Sequence, residues 1–210
     1  MASFEIAYRK YILPSEGGYS NIPEDKGGET YAGIARNFHP NWPGWTYIDF
    51  VKKTKGPIAR NTKFPDVQYQ VDDFYLNWWN SQRFGEIKSQ DVANLLFDYN
   101  VNSSSLAIKA IQRIVNVPVD GGMGPKTIAA INASDPTKVY TALKAERKAF
   151  YDSIVKRDPT QEKFYAGWMN RIASFPDLIT PTSIGVVTIG LGLALLIFFL
   201  TQKPKILSQG

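Results

Sequence analysis

Residues Ile184 to Leu200 read IGVVTIGLGLALLIFFL without a single charge, and Thr182, Ser183 and Thr201 lengthen the uncharged stretch. At 1.5 Å rise per residue, about 20 apolar residues in a helix cross a hydrocarbon core of ~30 Å. A helix packed on a water-soluble core keeps a polar face, whereas this run is apolar all round and follows Pro176 and Pro181 at the end of the chain. It predicts one membrane-spanning helix at 184–201, with a linker at 179–183 and a short basic tail at 202–210. Gly190 and Ala194 form a small-xxx-small pair suited to helix association. Lys203 and Lys205 beyond the span place the tail on the cytoplasmic or equivalent inner side. The opening MASFEIAYRKYILP lacks the continuous apolar core of a secretory signal, so the expectation is a tail anchor, in a viral membrane or a bacterial inner membrane.

Setting that anchor aside changes the charge balance. The 210-residue chain is +5, but residues 1–180 hold 22 bases against 19 acids, a net +3. Residues 1–109 are balanced at 12 and 12, and 110–180 carry 10 bases and 7 acids. No Lys/Arg stripe points to nucleic acid. Zero cysteines exclude a disulfide scaffold, a Cys-ligated zinc and a thiol nucleophile. A single histidine, His39, excludes a multi-His metal site and argues against a Ser-His-Asp triad. No metal or organic cofactor is called for, and hydrolytic chemistry is left mainly to carboxylates.

Helical periodicity dominates the rest. Phe4, Ala7, Tyr8, Tyr11 and Ile12 recur at three- and four-residue spacing behind Ser3 as N-cap, and Pro14 with Gly17-Gly18 ends that helix. Ser20 to Thr30 reads as turns or a short hairpin, and Phe38 to Pro65 as loop-rich. Helical spacing resumes at Val67 to Trp79, Val92 to Tyr99, Leu106 to Val115, Ile128 to Ile131, Val139 to Ile154 and Phe164 to Ile172. The fold class is mainly α, with one small turn or hairpin region. Asp120-Gly121-Gly122-Met123-Gly124 lacks the spaced ligands of a calcium loop and reads as a tight turn between helices.

The chemically informative segment is EGGYSNIPEDKGGETYAGIA, residues 16–35. Cleaving a glycosidic bond takes a protonated carboxyl at the leaving oxygen and, usually, a second carboxylate that stabilises positive charge or activates water. A helix end held by a Gly-Gly turn can lodge one carboxyl, Glu16, in a partly apolar pocket that keeps it protonated, while a carboxyl on a polar turn stays ionised. Glycine-flanked acids are also ordinary turn formers, so the spacing alone leaves both readings open.

LPSEGGYSNIPEDKGGETYAGIA resembles the N-terminal signature of glycoside hydrolase family 108, lysozyme-like N-acetylmuramidases. FYLNWW (74–79), LFDYNVNS (96–103) and AIKAIQRIVNVPVDGGMGPKTIAAI (107–131) are similar to its later segments, the last to its peptidoglycan-binding module. Arg147, Phe150-Tyr151, Phe164, Gly167-Trp168 and Arg171 match its closing helices. The resemblance implies a lysozyme-like catalytic domain at 1–103 and a helical peptidoglycan-binding module packed on it at 104–178, with the C-terminal helices forming a bundle. It puts the catalytic acid on Glu16, with Asp25 stabilising oxocarbenium-like charge or positioning water and Thr30 orienting that water. Tyr19, Tyr31 and Asn102 become substrate contacts. Glu24 and Glu29 are rivals for the second carboxylate; otherwise they are solvent-exposed turn residues. The sequence departs from the family pattern at GIA (33–35) in place of GIT and at Ser103-Ser104-Ser105, where a glycine is usual.

The function so implied is a peptidoglycan hydrolase cleaving between N-acetylmuramic acid and N-acetylglucosamine. Its partners would be peptidoglycan, a lipid membrane through 184–201 and, in a membrane-containing bacteriophage, capsid or viral membrane proteins. A lytic transglycosylase, which needs the acid alone, and a non-catalytic wall-binding anchor or assembly protein are the rival classes. Trp42, Trp45, Trp78 and Trp79 suit sugar stacking or the core, with packing preferred, and His39 reads as a surface or packing residue.

Overall fold

The computed structural model describes residues 1–22 and 27–178. The span expected at 184–201, its linker and its tail lie outside them, as do Glu24 and Asp25. Among the described residues no helix is long and apolar enough to cross a membrane. Residues Met1–Phe175 form one compact, mainly helical unit.

Helix α1 (Phe4–Ala7) starts on Ser3, whose hydroxyl accepts the Ile6 amide at 3.5 Å. It runs on as a π turn (Tyr8–Ile12) and a 3₁₀ turn (Leu13–Ser15). At Glu16 the backbone becomes extended, with φ −87° and ψ 128°, so this carboxyl stands where the helical path stops. Strands β1 (Tyr19–Ser20), β2 (Thr30–Tyr31) and β3 (Ile34–Ala35) follow as a small antiparallel sheet in the order β1-β2-β3. Tyr19 also exchanges backbone hydrogen bonds with Asn61 and Thr62, at 2.7 and 2.8 Å, so the loop before the third helix lines the other edge of β1.

The loop-rich expectation for 38–65 is wrong in its middle, where α2 (Gly44–Lys55) forms. Pro43-Gly44 looks like a chain breaker, yet Pro43 is the N-cap and its fixed φ leads into the helix. Lys52, Lys53 and Lys55, read as loop, sit in the last turn against the negative helix end, and Gly56 terminates it at φ +85°. Trp45, Ile48 and Val51 are its buried stripe.

Helix α3 (Gln68–Ser81) buries Val71, Tyr75 and Trp79. Helix α4 (Gln90–Ser103) is the axis of the molecule, with every residue from Val92 to Asn100 buried. A helix surrounded on all sides needs partners for each polar group it carries. Asn94 accepts from Gln90 at 2.7 Å, Asn100 accepts from the Trp78 indole at 2.8 Å, and Asp98 is ion-paired.

Helices α5 (Ser105–Ile114), α6 (Pro125–Ala133), α7 (Pro136–Arg157) and α8 (Glu162–Ala173) complete the unit. The α5–α6 turn is organised by the buried Gln112. Its amide nitrogen donates to Asp120 at 2.6 Å and to the Gly122 carbonyl at 2.9 Å, and its oxygen accepts the Gly121 amide at 2.9 Å. Asp135 caps α7 by accepting the Thr137 and Lys138 amides, with Pro136 in the first turn.

Candidate active site

Glu16 is brought inside by its neighbours. Gly33 sits at φ +75°, and a Cβ there would lie 1.8 Å from Glu16 Oε2 and 2.7 Å from the Tyr75 hydroxyl. Only glycine both adopts that backbone conformation and leaves room for the carboxyl. The Tyr75 hydroxyl donates to the Ala32 carbonyl at 2.9 Å, which fixes the β2–β3 turn over the acid. The same hydroxyl also hydrogen-bonds the Glu16 carboxyl, an interaction that favours the ionised form. The Glu16 side chain is 9% exposed and borders an open hollow of 380 Å³ lined also by Tyr31, Ala32, Lys63, Phe64 and Gln68.

Behind the carboxyl lies a buried charge network. Arg171 on α8 reaches Glu16 Oε1 with Nη2 at 3.5 Å. The same guanidinium grips Asp98, with Nη2 at 2.7 Å and Nε at 3.0 and 3.2 Å from its oxygens. Asp98 is also paired with Arg147 at 2.6 Å, and neither of these two side chains has any exposure. Tyr99, Tyr151 and Phe175 surround the Arg147 guanidinium, 5.4 to 5.8 Å from its centre. Burial dominates the titration of Glu16 and pushes its pKa up to about 7. Arg171 pulls it down and Asp98 pushes it up, and neither reverses the effect of burial.

Tyr31 is gathered at the same hollow as Glu16, with its hydroxyl accepting the Phe64 amide at 2.7 Å and its ring against Trp42. Thr30 lies on β2 opposite Ser20 and Ala35, its hydroxyl donating to the Gly28 carbonyl at 3.1 Å. Asn102 stands one turn beyond Asp98, donating to its carbonyl at 2.6 Å, and lines a different hollow of 630 Å³ with Phe38, His39 and Trp78. Tyr19 is buried, and its hydroxyl donates to Glu29 at 2.8 Å.

Glu29 is not the exposed turn residue expected. It is 10% exposed and paired with Arg36 and Lys52, each at 2.8 Å, so its charge is spent on holding the hairpin against α2. Trp42, Trp45 and Trp79 are core residues, whereas Trp78 is half-buried at the rim of two hollows. His39 packs edge-on against Phe74, and burial lowers its pKa. Among the described residues no group of carboxylates and histidines could hold a metal ion.

Sequence reasoning gave no role to Asp98, Arg147 and Arg171, although all three sit at positions of the family pattern. A signal existed for Asp98: a lone acid inside LLFDY, flanked on both sides by apolar residues, has to be buried and therefore paired.

A helical unit with a small hairpin, and a buried acid at the end of its first helical segment beside an open hollow, is the arrangement of a lysozyme-type glycoside hydrolase. The family comparison agrees. Residues 9–104 match the family described as glycosyl hydrolase 108, and residues 106–173 match a family described as a predicted peptidoglycan domain. Ten chains of solved structure match; one is the structure of Brucella abortus SagA, 26% identical. That match covers 77% of this chain and 85% of SagA, with a TM-score of 0.57. No curated protein matches. With residues 9–104 similar to the one family and 106–173 to the other, the protein is a glycoside hydrolase that acts on peptidoglycan.

The titration of Glu16 has a consequence for stability. Between the ordinary value of 4.5 and about 7, the folded chain holds a proton that the unfolded chain has lost. Stability therefore falls as pH rises through that window, by on the order of 3 kcal/mol in full. Glu16→Gln cannot ionise, so it should match the parent in thermal denaturation near pH 4 and exceed it by several degrees at pH 8. A difference in Tm that does not change with pH would contradict the buried, neutral acid.

Proposed function

We propose that the protein is an N-acetylmuramidase in which Glu16 is the general acid. The observation that carries this reading is the Glu16 carboxyl itself: buried, held protonated near neutrality, and open to a hollow large enough for part of a sugar chain. Glu16 gives its proton to the glycosidic oxygen between N-acetylmuramic acid and N-acetylglucosamine as the bond to the anomeric carbon breaks. The positive charge left on the ring is stabilised by Asp25. Water then adds at the anomeric carbon, oriented by Thr30, and surrenders a proton that restores the acid. The pairing of Glu29 with Arg36 and Lys52 supports Asp25 over Glu29 as the second carboxylate. Tyr19, Tyr31 and Asn102 would contact the glycan; Tyr31 is the one among them that lines the Glu16 hollow.

In the full chain, Glu16→Gln should lower the digestion of purified peptidoglycan by about 10³-fold or more while the fold is kept. On its alkaline side the parent's kcat/KM should fall tenfold per pH unit above about pH 7, because the acid must be protonated. New reducing ends identify hydrolysis, and 1,6-anhydro ends a transglycosylase. Activity that survives Glu16→Gln removes the acid assignment.

The apolar run at 184–201 supports a membrane tether, which would confine cleavage to a shell near one membrane, as in the wall-opening enzyme of a membrane-containing bacteriophage. The full chain should resist carbonate extraction from membranes and Leu195→Arg should not; extraction of the unsubstituted chain would count against the tether.

A further inference from the structure

Glu16 lies in the segment similar to glycosyl hydrolase 108, whereas Arg171 and Arg147 lie in the segment similar to the peptidoglycan domain. Their side chains nevertheless meet in one buried cluster around Asp98. Tyr11 and Phe175 close the same seam, stacked at 4.2 Å with their rings 7° from parallel. We infer that the peptidoglycan domain is a working part of the catalytic site: Arg171 is the positioning cation of the acid, and Asp98 is the charge that opposes and aims it. This rests on Glu16 as the acid and goes beyond wall binding as the domain's role.

The geometry separates the duties of the two arginines. Arg147, 2.6 Å from Asp98 and fully buried, neutralises that carboxylate. The charge of Arg171 is then left over, and its Nη2 lies between Asp98 at 2.7 Å and Glu16 at 3.5 Å. Asp98 holds the guanidinium at three donor–acceptor contacts, which fixes its plane and its distance from the acid. A buried carboxyl with no cation nearby would hold its proton too tightly to give it up, and one in a close ion pair would lose it. A longer contact to an arginine already engaged elsewhere gives an intermediate setting.

The other groups facing Glu16 do not duplicate this. Tyr75 from α3 lowers the Glu16 pKa through a hydroxyl hydrogen bond, the smallest of the effects on it, and carries no charge. Tyr8 from the π turn is hydrogen-bonded to Asp72 at 2.6 Å, with Gln68 donating to the same carboxylate at 2.7 Å. Lys63, from the loop before α3, lines the hollow but is exposed to solvent, where its charge is screened.

Removing either partner should move the acid in opposite directions, which a purely structural role would not do. In the full chain, Arg171→Gln should shift the alkaline limb of the kcat/KM profile upward, by roughly half to one pH unit. Arg171→Lys should bring it back close to the parent, and Asp98→Asn should shift it downward. Because substitutions in a buried pair can prevent folding, the parent chain supplies an independent reading: the Arg171 Nε resonance, followed by ¹⁵N NMR from pH 5 to 9, should titrate with Glu16. Limbs unmoved in folded Arg171→Gln and Asp98→Asn, or an Arg171 resonance flat across that range, overturn the inference. Failure of the acid assignment shows differently, as activity persisting in Glu16→Gln while the Arg171 resonance still titrates.

Discussion

The Asp98 carboxylate, without any solvent exposure, is the point on which the rest of this structure depends. A charge so buried survives only with close partners, and both of its partners come from the C-terminal half, Arg147 on α7 and Arg171 on α8. The pairing therefore does more than neutralise a charge. It fixes α7 and α8 against the buried α4, and it brings a guanidinium within 3.5 Å of Glu16 from a helix more than 150 positions later in the chain. Around the network, Tyr99, Tyr151 and Phe175 exclude water from Arg147.

The catalytic end of the molecule is built on a related economy of space. Helical backbone stops at Glu16, Gly33 leaves room for the carboxyl where any side chain would collide, and Tyr75 ties the β2–β3 turn above it. Burial then raises the pKa of the acid, Arg171 limits the rise, and the hollow at Tyr31 keeps the carboxyl within reach of a substrate. The second carboxylate of the hairpin region that the structure describes, Glu29, is committed to Arg36 and Lys52 and so serves the hairpin's attachment to α2.

Local chemistry was legible in the sequence and distant chemistry was not. Ser3 as an N-cap, the helix end at Pro14 to Gly18, the turn at Asp120 to Gly124 and Glu16 at its helix end all follow from short-range rules. The α2 error arose because Pro43-Gly44 and the lysines before Gly56-Pro57 carry the same residue types as a loop; here they are the two ends of a helix. The Arg36–Glu29–Lys52 and Asp98–Arg147–Arg171 clusters join residues far apart in the chain, and no periodicity announces which base will meet which acid. Asp98, set directly between Phe97 and Tyr99, was nonetheless a readable demand for a partner.

The central claim is that Glu16 keeps its proton near neutrality because it is buried, with Arg171 held at a distance that tempers the effect. Side-chain carboxyl ¹³C NMR of the parent chain, with the Glu16 signal assigned by its loss in Glu16→Gln, reads this directly. A titration midpoint near pH 7 is the result expected. A midpoint in the ordinary range of an exposed glutamate, near 4.5, would contradict the account.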